Sequence, residues 1–148
     1  FVRMERETAV TWQVLTKRAK RMHDILNTGT PGKLLSRHVW LGVSVEDQAT
    51  ADERIPLLLD TPAAVRFVSV EPMLGPVSLA GYPRGIDWVI CGAESGPNRR
   101  PFDVAWAAEL YRECRGEGVP MFFKQSGALK PGQDAVLPGV GVVQEWPA

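Results

Sequence analysis

Two short stretches, Val39-Trp-Leu-Gly-Val-Ser-Val45 and Val65-Arg-Phe-Val-Ser-Val70, decide the fold, and a glutamate follows each of them. Both are rich in valine and aromatic residues, are too short for a helix and lack strict alternation of apolar and polar residues. Such runs are typical of strands that are covered on both faces, as in parallel sheets. Three further apolar runs have the same character: Val10–Thr16, Asp87–Cys91 and Val119–Phe123. The sequence therefore predicts five strands of a mainly parallel sheet.

Helical patterns lie between these strands. An apolar stripe begins at Ala19 and ends at Gly29. After the second strand, Asp47 is a predicted N-cap, and Pro56 either kinks the helix that follows or opens a second short one. Asp103 caps the clearest helix, which the glycines at 116 and 118 end.

The order of these elements indicates repeated βα units in a single α/β domain over residues 1–148. The strands start about 20 to 30 residues apart, close to the roughly 30 residues of a βαβ unit. Met73–Ile86 is rich in glycine and proline and is predicted to be mostly loop. Residues 128–148 read as a covering tail, with Val140–Val143 as a candidate strand.

Charge and cysteine content bound the possible functions. The chain carries 17 lysines and arginines and 17 acidic residues, so no global field attracts nucleic acid or an anionic membrane. Its two cysteines, Cys91 and Cys114, form neither a disulfide framework nor a metal-ligand spacing. No apolar stretch approaches the roughly 20 residues that cross a bilayer. We therefore expect a cytoplasmic protein without a membrane partner.

Polar residues follow the strands where they end. Parallel strands with right-handed crossovers bring these ends to one rim. The candidate ligand-binding residues there are Lys17, Glu46, Glu71, Glu94, Ser95, Lys124 and Gln125. They could bind an amine, a carboxylate, a phosphate or a metal, or act as a general acid and base.

The structural alternative is that these glutamates form ion pairs with neighbouring lysines and that the serines cap helices. The repetition of Ser-Val-Glu at 44–46 and 69–71, with Glu94 in the corresponding place of another unit, favours function for the set. No metal site is predicted, because His23 and His38 have no ligand partners at suitable spacing. The chain also lacks the dinucleotide and Walker glycine motifs.

The motifs around the strand ends occur together, in one order, in a known protein family. They are Thr16-Lys-Arg18, Trp40-Leu-Gly-Val-Ser-Val-Glu46, Arg66-Phe-Val-Ser-Val-Glu-Pro-Met-Leu-Gly-Pro76, Asp87-Trp-Val-Ile-Cys-Gly-Ala-Glu-Ser-Gly96 and Phe122-Phe-Lys-Gln125. In these motifs, which extend over nearly the whole chain, the sequence resembles a phage-associated bacterial protein family of unknown function. Its full-length members look like radical S-adenosylmethionine proteins, with an N-terminal cysteine triplet followed by a partial (β/α) barrel.

The sequence departs from this family in lacking the cysteine triplet, and it has Ser126 where an aromatic residue is expected. Cys91 and Cys114 are 23 positions apart, one in a predicted strand and one in a predicted helix, and cannot replace the clustered thiolates of an iron–sulfur site. The resemblance implies a partial TIM-type barrel truncated at its N-terminal side. It further implies that the chain, which starts at Phe1, is a fragment of a longer protein.

Two functions follow as expectations. The resemblance implies the C-terminal part of a radical-S-adenosylmethionine-like enzyme of unknown substrate. This chain would hold no cofactor, and the full-length protein would use S-adenosylmethionine and an iron–sulfur cluster. The alternative is a non-catalytic binding module, for nucleic acid or a small molecule, that uses the same rim. Because the run Thr11–Thr16 lacks charge and proline, an unpaired edge there also predicts a homodimer. The alternative is a monomer in which an N-terminal helix over Phe1–Thr8 or the tail covers this edge.

Overall fold

The computed structural model describes residues 2–28, 35–82, 84–127, 129–130 and 132–147. It is an α/β structure with a five-stranded, all-parallel sheet, as predicted. In chain order the elements are α1 (Val2–Arg6), β1 (Trp12–Thr16), α2 (Ala19–Asn27), β2 (Val39–Val45), α3 (Gln48–Leu59), β3 (Val65–Val70), β4 (Trp88–Gly92), α4 (Val104–Glu117) and β5 (Met121–Gln125).

Strands β2 and β3 have the predicted bounds, whereas β1 begins two residues later than predicted, β4 is shifted by one residue and β5 by two. The later start of β5 has a clear cause, because Pro120 has no N–H to give to a ladder. Its carbonyl still accepts a hydrogen bond from Val89 N (3.1 Å), so the regular strand begins at Met121. The predicted end of α2 at Gly29 lies outside the described residues.

The helix caps follow the sequence pattern. The Asp47 side chain accepts from Thr50 N at 2.9 Å and completes a capping box at the start of α3. Pro56 lies inside α3, which continues to Leu59 as one helix. The Asp103 side chain accepts from Ala105 N, and Gly118, in the left-handed conformation at φ 71°, ends α4.

The strands lie side by side in chain order, β1 to β5. The main core lies on the face of the sheet that is covered by helices. Leu41, Val43 and Val45 alternate onto this face of β2, and Ala51 and Ile55 of α3 belong to the same buried cluster. The helix α4 packs against β4 and β5. Each crossover therefore adds the next strand on the same side of the last one, and in the described part of the chain no helix covers the opposite face.

The helix-free face has its own aromatic cluster, near the amino ends of the strands. Phe67 and Trp88 are almost completely buried but do not belong to the helix-side core. Trp88 contacts Trp40 edge-on and stacks on Trp146 of the tail, with ring centroids 4.8 Å apart. A single tail residue, Trp146, thus covers part of this face.

The tail also covers the outer edge of β5. Phe123 N donates to Val143 O (2.8 Å) and Glu145 N donates to Met121 O (3.0 Å), so the tail runs antiparallel beside the strand. The candidate strand Val140–Val143 makes one isolated bridge, between Leu137 and Gly141. In the described part of Met73–Ile86 no helix or strand forms, and none of the described helices is long and apolar enough to cross a membrane.

Candidate functional site

The carboxyl ends of all five strands lie at one edge of the sheet, which we call the rim, because the strands are parallel and adjacent. The register places Ser44 beside Ser69 and Val45 beside Val70, so Glu46 and Glu71 follow neighbouring positions on adjacent strands. The repeated Ser-Val-Glu motifs therefore occupy the same level of the rim.

Glu46 is held by two cations. Its Oε1 is ion-paired with Lys17 Nζ, and its Oε2 accepts from Arg54 Nη1 at 3.0 Å. The same Nη1 donates to the backbone carbonyl of Ser44 at 2.6 Å. The Glu46 and Arg54 side chains are only 13% and 15% exposed, whereas that of Lys17 is 57% exposed. A largely buried arginine thus holds the carboxylate that pairs with Lys17.

Glu71 lies at the centre of a second group. Ser69 Oγ donates to its Oε2 (3.1 Å), and Lys124 Nζ lies 3.3 Å from its Oε1. Ser44 Oγ donates to the Glu71 backbone carbonyl at 3.0 Å. A Cβ at Gly92 would lie 2.9 Å from Glu71 Oε1, so the glycine leaves room for this carboxylate. Both serines of the repeated motif therefore position Glu71.

Glu94 forms an ion pair with Arg100, which was not among the predicted site residues. The guanidinium donates through Nε to Oε2 (2.9 Å) and through Nη2 to Oε1 (3.0 Å), and Arg100 N also donates to Oε2. These hydrogen bonds, the side-chain ones first, lower the pKa of Glu94 to about 2. Glu94 is therefore ionised at neutral pH.

Gln125 and Ser95 differ from the charged candidates. Gln125 is 5% exposed, donates through Nε2 to Ala93 O (2.7 Å) and accepts through Oε1 from Gly132 N (2.7 Å). It ties the end of β5 to β4 and to the tail, which is a structural role. Ser95 lies half-buried in the turn after β4.

A family model for proteins of unknown function, DUF5131, matches residues 1–139 of the chain. The match covers nearly all of the 148 residues. The chain belongs to the DUF5131 family. No curated protein and no solved structure gives a significant match. Because the family has no assigned activity, the function of this DUF5131 protein has to be argued from its own residues.

The charged side chains at the rim of this DUF5131 protein form ion pairs. Each of its three glutamates has a cationic partner: Lys17 and Arg54 for Glu46, Lys124 for Glu71, and Arg100 for Glu94. Paired groups of this kind can exchange partners with a ligand that carries both a carboxylate and an ammonium group. That all three carboxylates open toward one cleft stays a prediction.

The cysteines of this DUF5131 protein are poor ligands for a metal. Both are buried, Cys91 in β4 and Cys114 in α4. Burial raises the pKa of the Cys91 thiol, and it raises the pKa of Cys114 to about 12. Over the described ranges, no group of three or more histidine, cysteine or acidic residues is arranged to hold a metal ion.

Proposed function

We propose that this chain is the C-terminal part of a (β/α) enzyme that resembles radical S-adenosylmethionine proteins, and that its rim binds the polar substrate or cofactor. The observation that carries the proposal is the order of the five parallel strands, β1 to β5, with paired lysines and glutamates after them. A sheet that adds strands in one direction and keeps its helices on one face has the topology of a barrel segment. Active sites of such barrels lie at the carboxyl ends of the strands.

A partial TIM-type barrel is the architecture that this proposal requires. The helix-free face would then be the inner face, and its aromatic cluster would fill the end away from the rim. Toward the rim the same face carries the small side chains of Ser44 and Ser69 and the glycine at position 92. Small residues at this level leave space for a ligand above the packed aromatic layer.

The residues of this chain do not fit an iron–sulfur cluster. A cluster requires three or four thiolates close together, whereas Cys91 and Cys114 are buried thiols with raised pKa values. The proposal therefore places the cluster ligands outside these 148 residues. It assigns to this chain the binding and orientation of the polar ligand. Kinship with phage-associated proteins and a cytoplasmic location belong to the same proposal.

The natural gene provides the first test. A C-x₃-C-x₂-C-like triplet in the sequence preceding Phe1 is expected if the chain belongs to such an enzyme. The natural protein, reconstituted anaerobically with iron and sulfide, should then show the charge-transfer absorption of a [4Fe–4S] cluster. The 148-residue chain treated in the same way should not. Absence of the triplet, or a stable cluster on the 148 residues alone, would contradict the proposal.

Ligand binding by the rim can be tested in the reconstituted natural protein by equilibrium dialysis with S-adenosylmethionine. Glu71→Gln and Lys124→Met each remove one charge of the pair and should weaken binding by about tenfold, the scale of one hydrogen bond to a charged group. Arg112→Met is the matched control, because Arg112 is an exposed residue of α4 paired with Glu109. Equal affinity in all three variants would exclude the rim pair as the binding site.

A binding module for nucleic acid is the second candidate. The observation that favours it is the basic start of α2 beside the rim, where Arg18 and Arg21 are exposed. Neither forms an ion pair with any residue of the described ranges. If the triplet is absent from the gene, single-stranded oligonucleotides should bind the chain with an affinity that falls as salt increases. Arg21→Ala should then reduce both the affinity and its salt dependence.

Self-association through β1 is a further part of the proposal. In the described part of the chain β1 pairs only with β2, and Leu15 on this strand is 48% exposed. The strand carries no charge or proline, the features that usually prevent edge pairing. Light scattering over a concentration series should give about twice the mass of one chain. A constant mass near 16.3 kDa would contradict the dimer.

A further inference from the structure

A concave site lies beside the rim, between the loop that follows β4 and the end of β5. Its volume is about 430 Å³. We call it the arginine cavity. The residues that line it are Arg99, Arg100, Pro101, Phe102, Ser126 and Gly127. None of the predicted ligand-binding residues lines this cavity, although Glu94 forms an ion pair with Arg100, which does.

The cavity depends on a close approach at Gly127. This residue has φ +98°, a conformation that favours glycine. A Cβ here would lie 3.3 Å from Ala93 Cβ and 3.9 Å from Arg99 Cδ. The aliphatic part of Arg99 therefore lies against the turn after β5, and this contact brings the loop and the turn together.

The arginine cavity carries a net positive charge. The bidentate ion pair between Arg100 and Glu94 cancels the charge of Arg100. Arg99 has no carboxylate partner within the described ranges. Its Nη1 donates instead to the backbone carbonyl of Gly96, at 3.1 Å. One uncompensated guanidinium thus lines the site.

Several N–H donors of the two arginines stay available. A guanidinium donates through Nε, Nη1 and Nη2. Glu94 takes Nε and Nη2 of Arg100, and Gly96 takes Nη1 of Arg99. This leaves Nη1 of Arg100, and Nε and Nη2 of Arg99, without an acceptor among the residues that the structure describes.

We infer that the arginine cavity binds a phosphate group. Glu94 already occupies the planar edge of Arg100 that suits a carboxylate. The free donors belong to two separate guanidinium groups, and a tetrahedral phosphate accepts from such separate directions. Pro101 and Phe102 offer an apolar wall to the organic group attached to the phosphate. This inference is independent of the proposed enzyme, because it involves neither the cluster nor the Glu71–Lys124 pair.

Inorganic phosphate is the first probe, titrated at low ionic strength into the ¹⁵N-labelled chain and followed by NMR. We expect saturable shifts of the Ser126 and Gly127 amide signals. Arg99→Ala should weaken binding by about tenfold, the scale of one hydrogen bond to a charged group. Arg112→Ala, an exposed arginine of α4, should change the affinity by less than about twofold, since exposed charges at a distance are screened. Shifts confined to other residues, or equal affinity in Arg99→Ala and the parent chain, would overturn the inference.

Arg99→Gln guards against a trivial loss of folding, because it keeps a polar side chain with the same Cβ and Cγ carbons while the charge is removed. It should retain the thermal unfolding midpoint of the parent chain and still lose phosphate affinity. Competition then distinguishes the source of the phosphate. A nucleoside monophosphate and a single-stranded oligonucleotide are each titrated against bound phosphate, with concentrations counted per phosphate. If the monophosphate displaces it at the lower concentration, the ligand is a free nucleotide. The reverse order would indicate a nucleic-acid strand. Failure of both to compete would overturn the inference.

Discussion

Gly42→Ala should destabilise the protein strongly, because Phe67 lies directly over this glycine on the helix-free face. A Cβ at position 42 would lie 2.5 Å from Cε2 and Cζ of Phe67 and 2.7 Å from its Cδ2. Carbon atoms pack best at about 3.5–4.0 Å, so the ring would have to move by about 1 Å. Phe67 is 1% exposed and contacts Trp88, with ring centroids 6.0 Å apart, so it has little space to move.

Overpacking a filled core typically costs about 1–3 kcal/mol, and three close contacts with a buried ring place Gly42→Ala near the upper end, at about 3 kcal/mol. Urea unfolding followed by circular dichroism measures the change. Gly116→Ala is the matched control, since its Cβ would meet nothing within 4 Å in α4. It should stabilise the protein by about 0.5–1 kcal/mol.

The Phe67→Val variant tests whether the ring of Phe67 is the cause of this destabilisation. Phe67→Val removes the ring atoms that the new methyl group would meet, so Gly42→Ala should cost less than about 1 kcal/mol there. If Gly42→Ala is as stable as the parent protein, or costs the same in the Phe67→Val background, the packing described for the helix-free face is incorrect.

Three further predictions concern charged groups. NMR titration should find the pKa of Glu94 near 2, and in Arg100→Leu this pKa should lie closer to the ordinary carboxyl range. Because the pKa is lowered in the folded protein, the stability from this pair is present above about pH 4.5 and is lost as the pH falls through about 2. The His23 pKa should lie above 6.5, chiefly because of its hydrogen bond to Asp60, and should fall in Asp60→Asn. The stability from this pair is therefore present below pH 6.5 and is lost as the pH rises through the folded pKa. Asp47→Ala should lower the free energy of unfolding, measured in urea, by about 0.5–2 kcal/mol through loss of the α3 cap.

The strands were predictable from sequence where burial on both faces leaves a continuous apolar run. Val39–Val45 and Val65–Val70 are such runs, and their predicted bounds are confirmed. The predicted start of β5 was wrong because the apolar pattern continues through Pro120, which has no N–H to donate to a regular ladder. Apolar character determines where a strand lies, whereas hydrogen-bonding capacity determines where it begins.

The partners of the rim glutamates were only partly predictable. Lys17 follows β1 directly and Lys124 lies next to the final residue of β5, so topology alone brings them to the rim beside Glu46 and Glu71. Arg54 lies two helical turns into α3, and Arg100 lies in an irregular loop. Their positions depend on how a helix and a loop pack back onto the strand ends. Sequence spacing carries little information on such packing.

The two Ser-Val-Glu motifs are identical in sequence and adjacent in register, yet their glutamates have different environments. Glu46 is bound by Arg54, which is itself largely buried, so a ligand that displaced this pair would leave a buried charge without a partner. The only ion-pair partner of Glu71 in the described residues is Lys124, which is half exposed. Exposed pairs contribute little to stability, so a ligand ammonium group can replace Lys124 at small cost. Of these two carboxylates, Glu71, which both serines already orient, is therefore the one that can exchange its partner for a ligand more easily.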